Sequence, residues 1–429
     1  MSDFTGRWFT TFGRMELVQS GEHVKGTYSA YQDDAIQNEI AGEVGGDVLK
    51  FRYREPYATG TGWFKLKRHG MFSGRWIEDN RGVGSFWHGH RDFDGVWDTS
   101  FGLCRLFHEA DRVIGYFEVP GGGTLECGGG ASGGTSMGRR CDFRFQTPQA
   151  RGEIWLELDE QQMSFKGKVR QVGERSFRPC GGQRLLPVPE LQWLVVLEAH
   201  WQRMLQEKDY SLGDMLREFF ARVRRVDVRH RFFASEGDLE TWCREILYLV
   251  EPVTVVVATH GTPDGINGHD GIIGSEALVK YLRHADNVTV LHFSACCIED
   301  SSTGGPRSSL DRQLPFPISG YAAYTDWAAS ALVDFTYLDL ILEHYLPPDE
   351  AASQVKQLLP FAGDRTGRNC RYPATRFRFW PASDGSCSLA ANRRKDLVSP
   401  QTVSVRLPVL PRDALPAPEE LAGQCAPFT

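Results

Sequence analysis

Val255-Val256-Val257-Ala258-Thr259-His260-Gly261 and Val288-Thr289-Val290-Leu291-His292-Phe293-Ser294-Ala295-Cys296 are the two stretches whose reading decides the fold. Each is a short apolar, β-branched run, the pattern of a strand buried on both faces of a parallel sheet. The first ends on a histidine followed by glycine, the second on a cysteine preceded by Ser-Ala. Open α/β sheets carry their sites at the carboxyl ends of their strands. Two neighbouring strands of this kind bring an imidazole and a thiol to one edge, although 36 residues separate them. A thiol with its free pKa near ~8.5 is only a few per cent thiolate at neutral pH. A nearby imidazole favours the thiolate and later protonates a leaving amine. Cys296 is therefore the candidate nucleophile and His260 the candidate acid–base. Gly261 has no side chain to keep its N–H from a substrate oxygen. With the Cys296 N–H it would form an oxyanion hole, a contribution of ~3 kcal/mol per donor.

Outward from these strands, apolar strands and amphipathic helices alternate. Leu194-Val195-Val196-Leu197 reads as a first strand. Leu212, Met215, Leu216, Phe219, Phe220 and Val223 then line one helix face. Val226 to Phe232 alternates as an edge strand, and Leu239, Trp242, Cys243 and Ile246 give a second helix with Asp238 as a possible cap. A helix around Ala277 to Leu282 separates the two opening strands. A further strand begins at Phe316, a long helix spans Trp327 to Tyr345, and Arg376 to Trp380 offers a last strand. This alternation predicts an α/β domain over 186–390 with a mostly parallel sheet covered on both faces.

The first 180 residues follow a different rule. Gly6, Trp8, Thr10, Phe12, Gly13, Leu17, Val24 and Gly26 recur 89 residues later as Gly95, Trp97, Thr99, Phe101, Gly102, Leu106, Val113 and Gly115. Trp63, Leu66 and Met71 recur at an offset of 92 as Trp155, Leu158 and Met163. A duplicated unit of this size must be recognised before domains are counted. Short alternating segments broken by Gly, Asp and Asn predict antiparallel strands joined by hairpins. The Gly-x-Trp opening resembles that of avidin- and lipocalin-like barrels, in which the tryptophan plugs the floor. The expectation is two tandem antiparallel β-barrel units, over 1–91 and 92–180. Such barrels either hold one small ligand or are packed solid. The segment from Gly121 to Gly134 reads as a long flexible loop, and a Pro-rich C-terminal tail is expected over 391–429.

The chain has 429 residues, enough for two or three full cores, and a formal net charge of −7, which argues against nucleic acid as the main partner. No run of eighteen apolar residues is present and the amino terminus lacks a signal-like segment, so neither membrane nor export is expected. Ten cysteines without a Cys-x-x-Cys pair suit reduced thiols in a cytoplasmic protein. His88-Gly89-His90 lacks the carboxylate or cysteine that would complete a metal site, so no metal or other cofactor is called for.

The ordered pair of strand endings resembles the caspase-like cysteine peptidases, a group containing caspases, metacaspases, separases and bacterial CHAT peptidases. Ser294-Ala295-Cys296 is closest to the CHAT form. Metacaspases carry aspartate and caspases glutamine where Ser294 stands. The resemblance covers roughly residues 190 to 380. It implies the roles given above for Cys296, His260 and Gly261, places Ser294 beside the substrate, and selects Cys296 over its neighbour Cys297. It also suggests an acid that holds a basic residue before the scissile bond, as in separases. Asp326 stands where such an acid would, and it serves equally well as the cap of the long helix. The segment from Ile298 to Leu314 matches the loop that follows the nucleophile in this family, a loop often cut on activation. Arg307, Arg312 and Arg140 are the candidate processing sites.

The reading is a cysteine endopeptidase acting on a protein substrate, after a basic residue if Asp326 lines the pocket, in a regulated pathway of the defence or cell-death type. The barrels would be the module that meets a regulatory protein partner. The alternative is an inactive pseudo-peptidase scaffold that binds partners through its barrels.

Overall fold

The computed structural model describes residues 2–382 apart from 32, 69, 81–83, 110–111, 119–122, 128–138, 202–205, 207–209, 263, 308–309 and 367–369. The expected Pro-rich tail and most of the glycine-rich segment lie outside the described residues.

The amino-terminal half forms two antiparallel barrels. The first runs through β1 (Gly6–Thr10), β2 (Gly13–Ser20), β3 (His23–Ala30), β4 (Asp33–Gly45), β5 (Val48–Arg54), β6 (Thr59–Arg68), β7 (Met71–Glu78), β8 (Gly84–Phe86) and β9 (Gly89–His90). Strands β6 and β7 pair with each other, which closes the sheet on itself. The second contains β10 (Gly95–Thr99), β11 (Gly102–Glu109), β12 (Arg112–Phe117), β13 (Gly123–Cys127), β14 (Arg140–Gln146), β15 (Arg151–Leu158), β16 (Ser164–Gln171) and β17 (Arg178–Arg184). It is a closed up-and-down barrel in which β17 returns to β10. The glycine-rich segment is thus not wholly a loop, since β13 takes Gly123–Cys127 into the barrel wall.

The duplication read in sequence is a duplication of hydrogen bonds. Trp8 Nε1 donates to the Phe4 carbonyl at 2.9 Å, and Trp97 Nε1 donates to the Phe93 carbonyl at 2.9 Å. Thr10 Oγ1 donates to Gly13 O at 2.9 Å, as Thr99 Oγ1 does to Gly102 O at 2.6 Å. Gly13 (φ +148°) is required where β2 begins, because a Cβ there would lie 1.8 Å from the Ser29 carbonyl oxygen. Guanidinium groups cover both tryptophans, Arg91 over Trp8 at 4.6 Å and Arg184 over Trp97 at 4.3 Å. The interiors hold side chains. Trp8, Phe51, Phe64, Phe72 and Trp87 fill one; Phe93, Trp97, Phe143, Phe145 and Phe165 fill the other.

The carboxyl-terminal half is a mixed sheet with helices on both faces. Its elements are β18 (Gln192–Ala199), α1 (Leu212–Phe220), β19 (Val226–Phe233), α2 (Glu236–Ile246), β20 (Val253–Ala258), the short β21 (Gly261–Thr262), β22 (Gly265–Asn267) and β23 (Ile272–Ile273), then α3 (Glu276–Leu282), β24 (Val288–Ser294), α4 (Leu310–Gln313), β25 (Ile318–Tyr321), α5 (Trp327–Leu342), α6 (Pro348–Leu358) and β26 (Phe377–Trp380). The strand order is β19-β18-β20-β24-β25-β26, parallel except for β26. Alternate residues face opposite cores, as a period of two demands. Leu194, Val196, Val256 and Ala258 pack with α1, α5 and α6; Val195, Leu197, Val255 and Val257 pack with α2 and α3. Helix α2 is capped by Ser235 rather than by the expected Asp238. The Ser235 hydroxyl accepts the Asp238 N–H, and the Asp238 carboxylate accepts the Ser235 N–H.

The second barrel docks at the amino-terminal edge of this sheet. Arg105 pairs with Asp286 at 3.2 Å, Phe107 packs on His284 at 4.6 Å, and Tyr116 meets Tyr281 at 5.7 Å. These partners lie at the end of α3 and the turn into β24, so the carboxyl-terminal edge is left clear of this contact. The first barrel also reaches the sheet domain, through Arg75 donating to the Tyr345 carbonyl at 2.6 Å. Among the described residues, no helix is long and apolar enough to cross a membrane.

Candidate active site

The parallel ladder places the two strand endings side by side. Ala258 pairs with Ser294, and the Thr259 N–H donates to the Ser294 carbonyl at 3.3 Å. His260 and Cys296 each lie two residues beyond that rung. The backbones stay in contact past the last pair. A Cβ on Gly261 would sit 1.8 Å from the Cys296 carbonyl oxygen and 2.9 Å from its nitrogen. Only glycine lets the two chain ends approach so closely.

Beyond His260 the chain turns into β21. The Asn267 N–H donates to the His260 carbonyl at 2.9 Å, so the polar groups of His260 face β22. Antiparallel pairing alternates, which directs the Gly261 N–H away from β22 and leaves it toward the open edge. The His260 side chain is exposed, and its ring meets the edge of Trp201 at 5.0 Å. Trp201 is itself positioned, since its indole donates to Glu198 at the end of β18. Glu198 is fully buried and also accepts the N–H groups of Leu212 and Gly213 at 2.8 and 3.0 Å, at the start of α1. Burial pushes its carboxyl up, but the hydrogen bonds from His230, Ser211, Gly213 and Trp201 outweigh burial and hold it below the usual value.

Cys296 is half-buried. Burial pushes its thiol up, while the backbone of Thr325 opposes the rise. The strand ends at Ser294, so strand alternation does not set the direction of Cys297. Instead Cys297 takes a left-handed conformation (φ +57°), is buried, and its carbonyl accepts the Arg307 guanidinium. A non-glycine residue in this conformation beside a candidate nucleophile is a strained position that the neighbouring contacts must hold.

The other sequence-selected residues fall in several places. Ser294, expected beside the substrate, is buried instead and donates to Asp334 at 2.6 Å. Asp334 on α5 also binds His292 Nε2 at 2.8 Å, while His292 Nδ1 bonds Ser319 at 3.0 Å. This network fastens the cysteine strand to β25 and α5. Asp326 is exposed and caps α5, accepting the Ala329 N–H at 2.9 Å. It directly follows Thr325, so it also borders the nucleophile. Arg307 is not at an exposed loop tip: it is half-buried, its N–H donating to Ile298 O at 2.8 Å and its side chain to Cys297. Arg312 is exposed on the single turn of α4. Arg140 stands in β14 of the barrel, paired with Glu157 at 3.1 Å, rather than in a loop. Among the described residues no cluster of three metal-ligating side chains occurs.

Trp201, Tyr210 and Trp327 escaped sequence reasoning. Tyr210 stacks on Trp201 at 5.7 Å and meets Trp327 at 5.2 Å. The signal available was their place just after β18, just before α1 and at the first residue of α5, at the carboxyl edge where sites are built.

No protein-family model matches the chain, and no curated protein matches it. Among solved structures, caspase-1 from Spodoptera frugiperda is similar to it at 10% identity and a TM-score of 0.31, over 44% of this chain and 86% of that one.

Proposed function

We propose that this chain is a caspase-like cysteine endopeptidase with Cys296 as nucleophile and His260 as acid–base. The observation that carries the reading is the in-register ending of β20 and β24, with Gly261 seated against the Cys296 backbone. In the reaction, His260 takes the thiol proton as Cys296 attacks the scissile carbonyl. The oxyanion accepts the N–H groups of Gly261 and Cys296. His260 then returns the proton to the leaving amine, and water hydrolyses the thioester. The backbone of Thr325 supports the thiolate against the effect of burial. Cleavage after a basic residue fits Asp326 at the rim, and a regulated role of the defence or cell-death type fits a protease joined to two packed barrels.

A second reading has one observation in its favour. Burial raises the Cys296 thiol, as it does in an inert core cysteine, and would suit a pseudo-peptidase scaffold. The two separate on the pH profile of Cys296 alkylation by iodoacetamide. A peptidase reacts at lower pH than its His260→Ala variant, because the imidazole favours the thiolate. Coincident profiles for the two proteins would favour the scaffold.

A further inference from the structure

Glu198, near the carboxyl end of β18, has no exposed surface, and a carboxylate is costly to bury unless its oxygens are hydrogen-bonded. Here they are. Ser211 Oγ donates to it at 2.7 Å, the Leu212 and Gly213 N–H groups donate at 2.8 and 3.0 Å, and His230 Nε2 lies 2.8 Å away. These contacts fasten the start of α1 to the end of β18. The Trp201 indole donates to the same carboxylate, and Tyr210 stacks on the indole at 5.7 Å. Trp201 is thus held both by its N–H and by its ring. That ring meets His260, with centroids 5.0 Å apart and planes at 83°. The His260 backbone is fixed separately, since its carbonyl accepts the Asn267 N–H at 2.9 Å and Thr259 Oγ1 donates to the Asn267 carbonyl. Its side chain is exposed at a strand end, where more than one rotamer is open to it. An imidazole serves a thiol only from within hydrogen-bond reach.

We infer that Glu198 and Trp201 are positioning residues: the buried carboxylate fixes the indole, and the indole holds the His260 ring in the rotamer that serves Cys296. The inference rests on the peptidase reading above and adds two residues to it. Neither takes a proton or meets the scissile bond. Their effect is on how much of the time the imidazole stands beside the thiol, so it appears in the reactivity of Cys296 toward a small reagent as well as toward a peptide.

The test uses the full chain and follows iodoacetamide alkylation of Cys296 against pH by peptide mapping, with far-ultraviolet circular dichroism and melting temperature measured beside it. Trp201→Ala is expected to move the profile most of the way to that of His260→Ala, slowing alkylation at neutral pH by about tenfold. Trp201→Phe keeps a ring to stack on Tyr210 but loses the N–H that reaches Glu198, and its profile is expected between wild type and Trp201→Ala. A merely structural role would lower the melting temperature of these variants and leave the profile where it is in wild type. A Trp201→Ala profile that coincides with wild type, while His260→Ala is displaced, overturns the inference and leaves the peptidase reading standing. A Trp201→Phe profile equal to wild type overturns the part given to Glu198. Coincident profiles for wild type and His260→Ala overturn both the inference and the reading it rests on. If Trp201→Ala does not fold, Tyr210→Leu removes the stacking support alone; a smaller shift in the same direction is expected, and an unmoved profile overturns the inference.

Discussion

At the scale of single residues, Gly261 does as much for the proposed site as the two groups proposed to react. A methyl group there would enter the Cys296 carbonyl, so the two strand ends must separate by more than an ångström to admit it. On the proposed mechanism that displacement would move the imidazole from the thiol and take both proposed oxyanion donors from their shared position. Misplacement of about an ångström costs roughly a hundredfold in rate. Gly261→Ala is therefore expected to lose at least that factor in kcat/KM toward a peptide substrate. Its far-ultraviolet circular dichroism should stay unchanged, because β20 and β24 end before the clash. A variant with near wild-type activity would remove Gly261 from the oxyanion hole. The adjacent endings of β20 and β24 were legible because their apolar, β-branched runs stop just before His-Gly and Ala-Cys. The role of Ser294 was misread for a physical reason: position relative to the cysteine does not reveal which face a side chain takes. The partner that claims it, Asp334, lies 40 residues away.

At the scale of elements, the buried group formed by His292, Ser294, Ser319 and Asp334 is what aligns the cysteine strand with α5. Asp334 is fully buried and accepts from Ser294 and His292, and Tyr321 also donates to it. Its removal takes that partner from Ser294 and from His292 Nε2 in a buried core, each costing about 1–3 kcal/mol, while Tyr321 keeps the Ser330 carbonyl at 2.9 Å. Asp334→Ala is expected to destabilise the fold by about 3 kcal/mol or more in urea unfolding, whereas Asp326→Ala, at an exposed cap, should cost about 1 kcal/mol. A comparable loss for both would mean that the network contributes no more than a cap. Apolar periodicity made β18, β20, β24, α1 and α5 readable from the sequence. Helix α6 was not, because Pro347-Pro348 reads as a breaker although proline suits the first helical turn. The β21–β23 arm was hidden as well, its strands being two or three residues long and set among glycines. The contact of Trp201 and Tyr210 with Trp327 was illegible because the connection from β18 to α1 and the first residue of α5 are far apart in sequence and only the sheet brings them together.

At the scale of the whole molecule, stability depends on junctions that no single segment displays. His88 lies buried near the meeting of the first barrel, the second barrel and the sheet domain, in a cavity also lined by Thr10, Val96, Arg184 and Val250. Neither of its ring nitrogens has a hydrogen-bond partner, and burial lowers its pKa from 6.5 to about 4. The folded value is below the unfolded one, so protonation favours the unfolded chain. The neutral imidazole costs nothing above pH ~6.5, and stability is lost as pH falls from there to about 4, by about 3 kcal/mol in total. His88→Phe, similar in shape and without a proton to bind, should lessen the decline in melting temperature across that window; an identical decline would place the acid sensitivity elsewhere. The docking of the second barrel offers the sharper case. Arg105 and Asp286 are both buried where the barrel meets the turn into β24. Charges taken out of water need each other. Removing one member of a buried pair costs about 3–5 kcal/mol, while replacing both with apolar groups can be neutral. Asp286→Leu alone should therefore lower the melting temperature markedly, and Arg105→Met combined with it should recover much of the loss. Because this contact sits at the amino edge of the sheet, the double variant should label Cys296 with a peptidyl probe at the wild-type rate. A double variant that regains stability but loses labelling would show that the barrel acts on the catalytic edge through α3, and that the pair transmits this effect rather than simply holding two domains together.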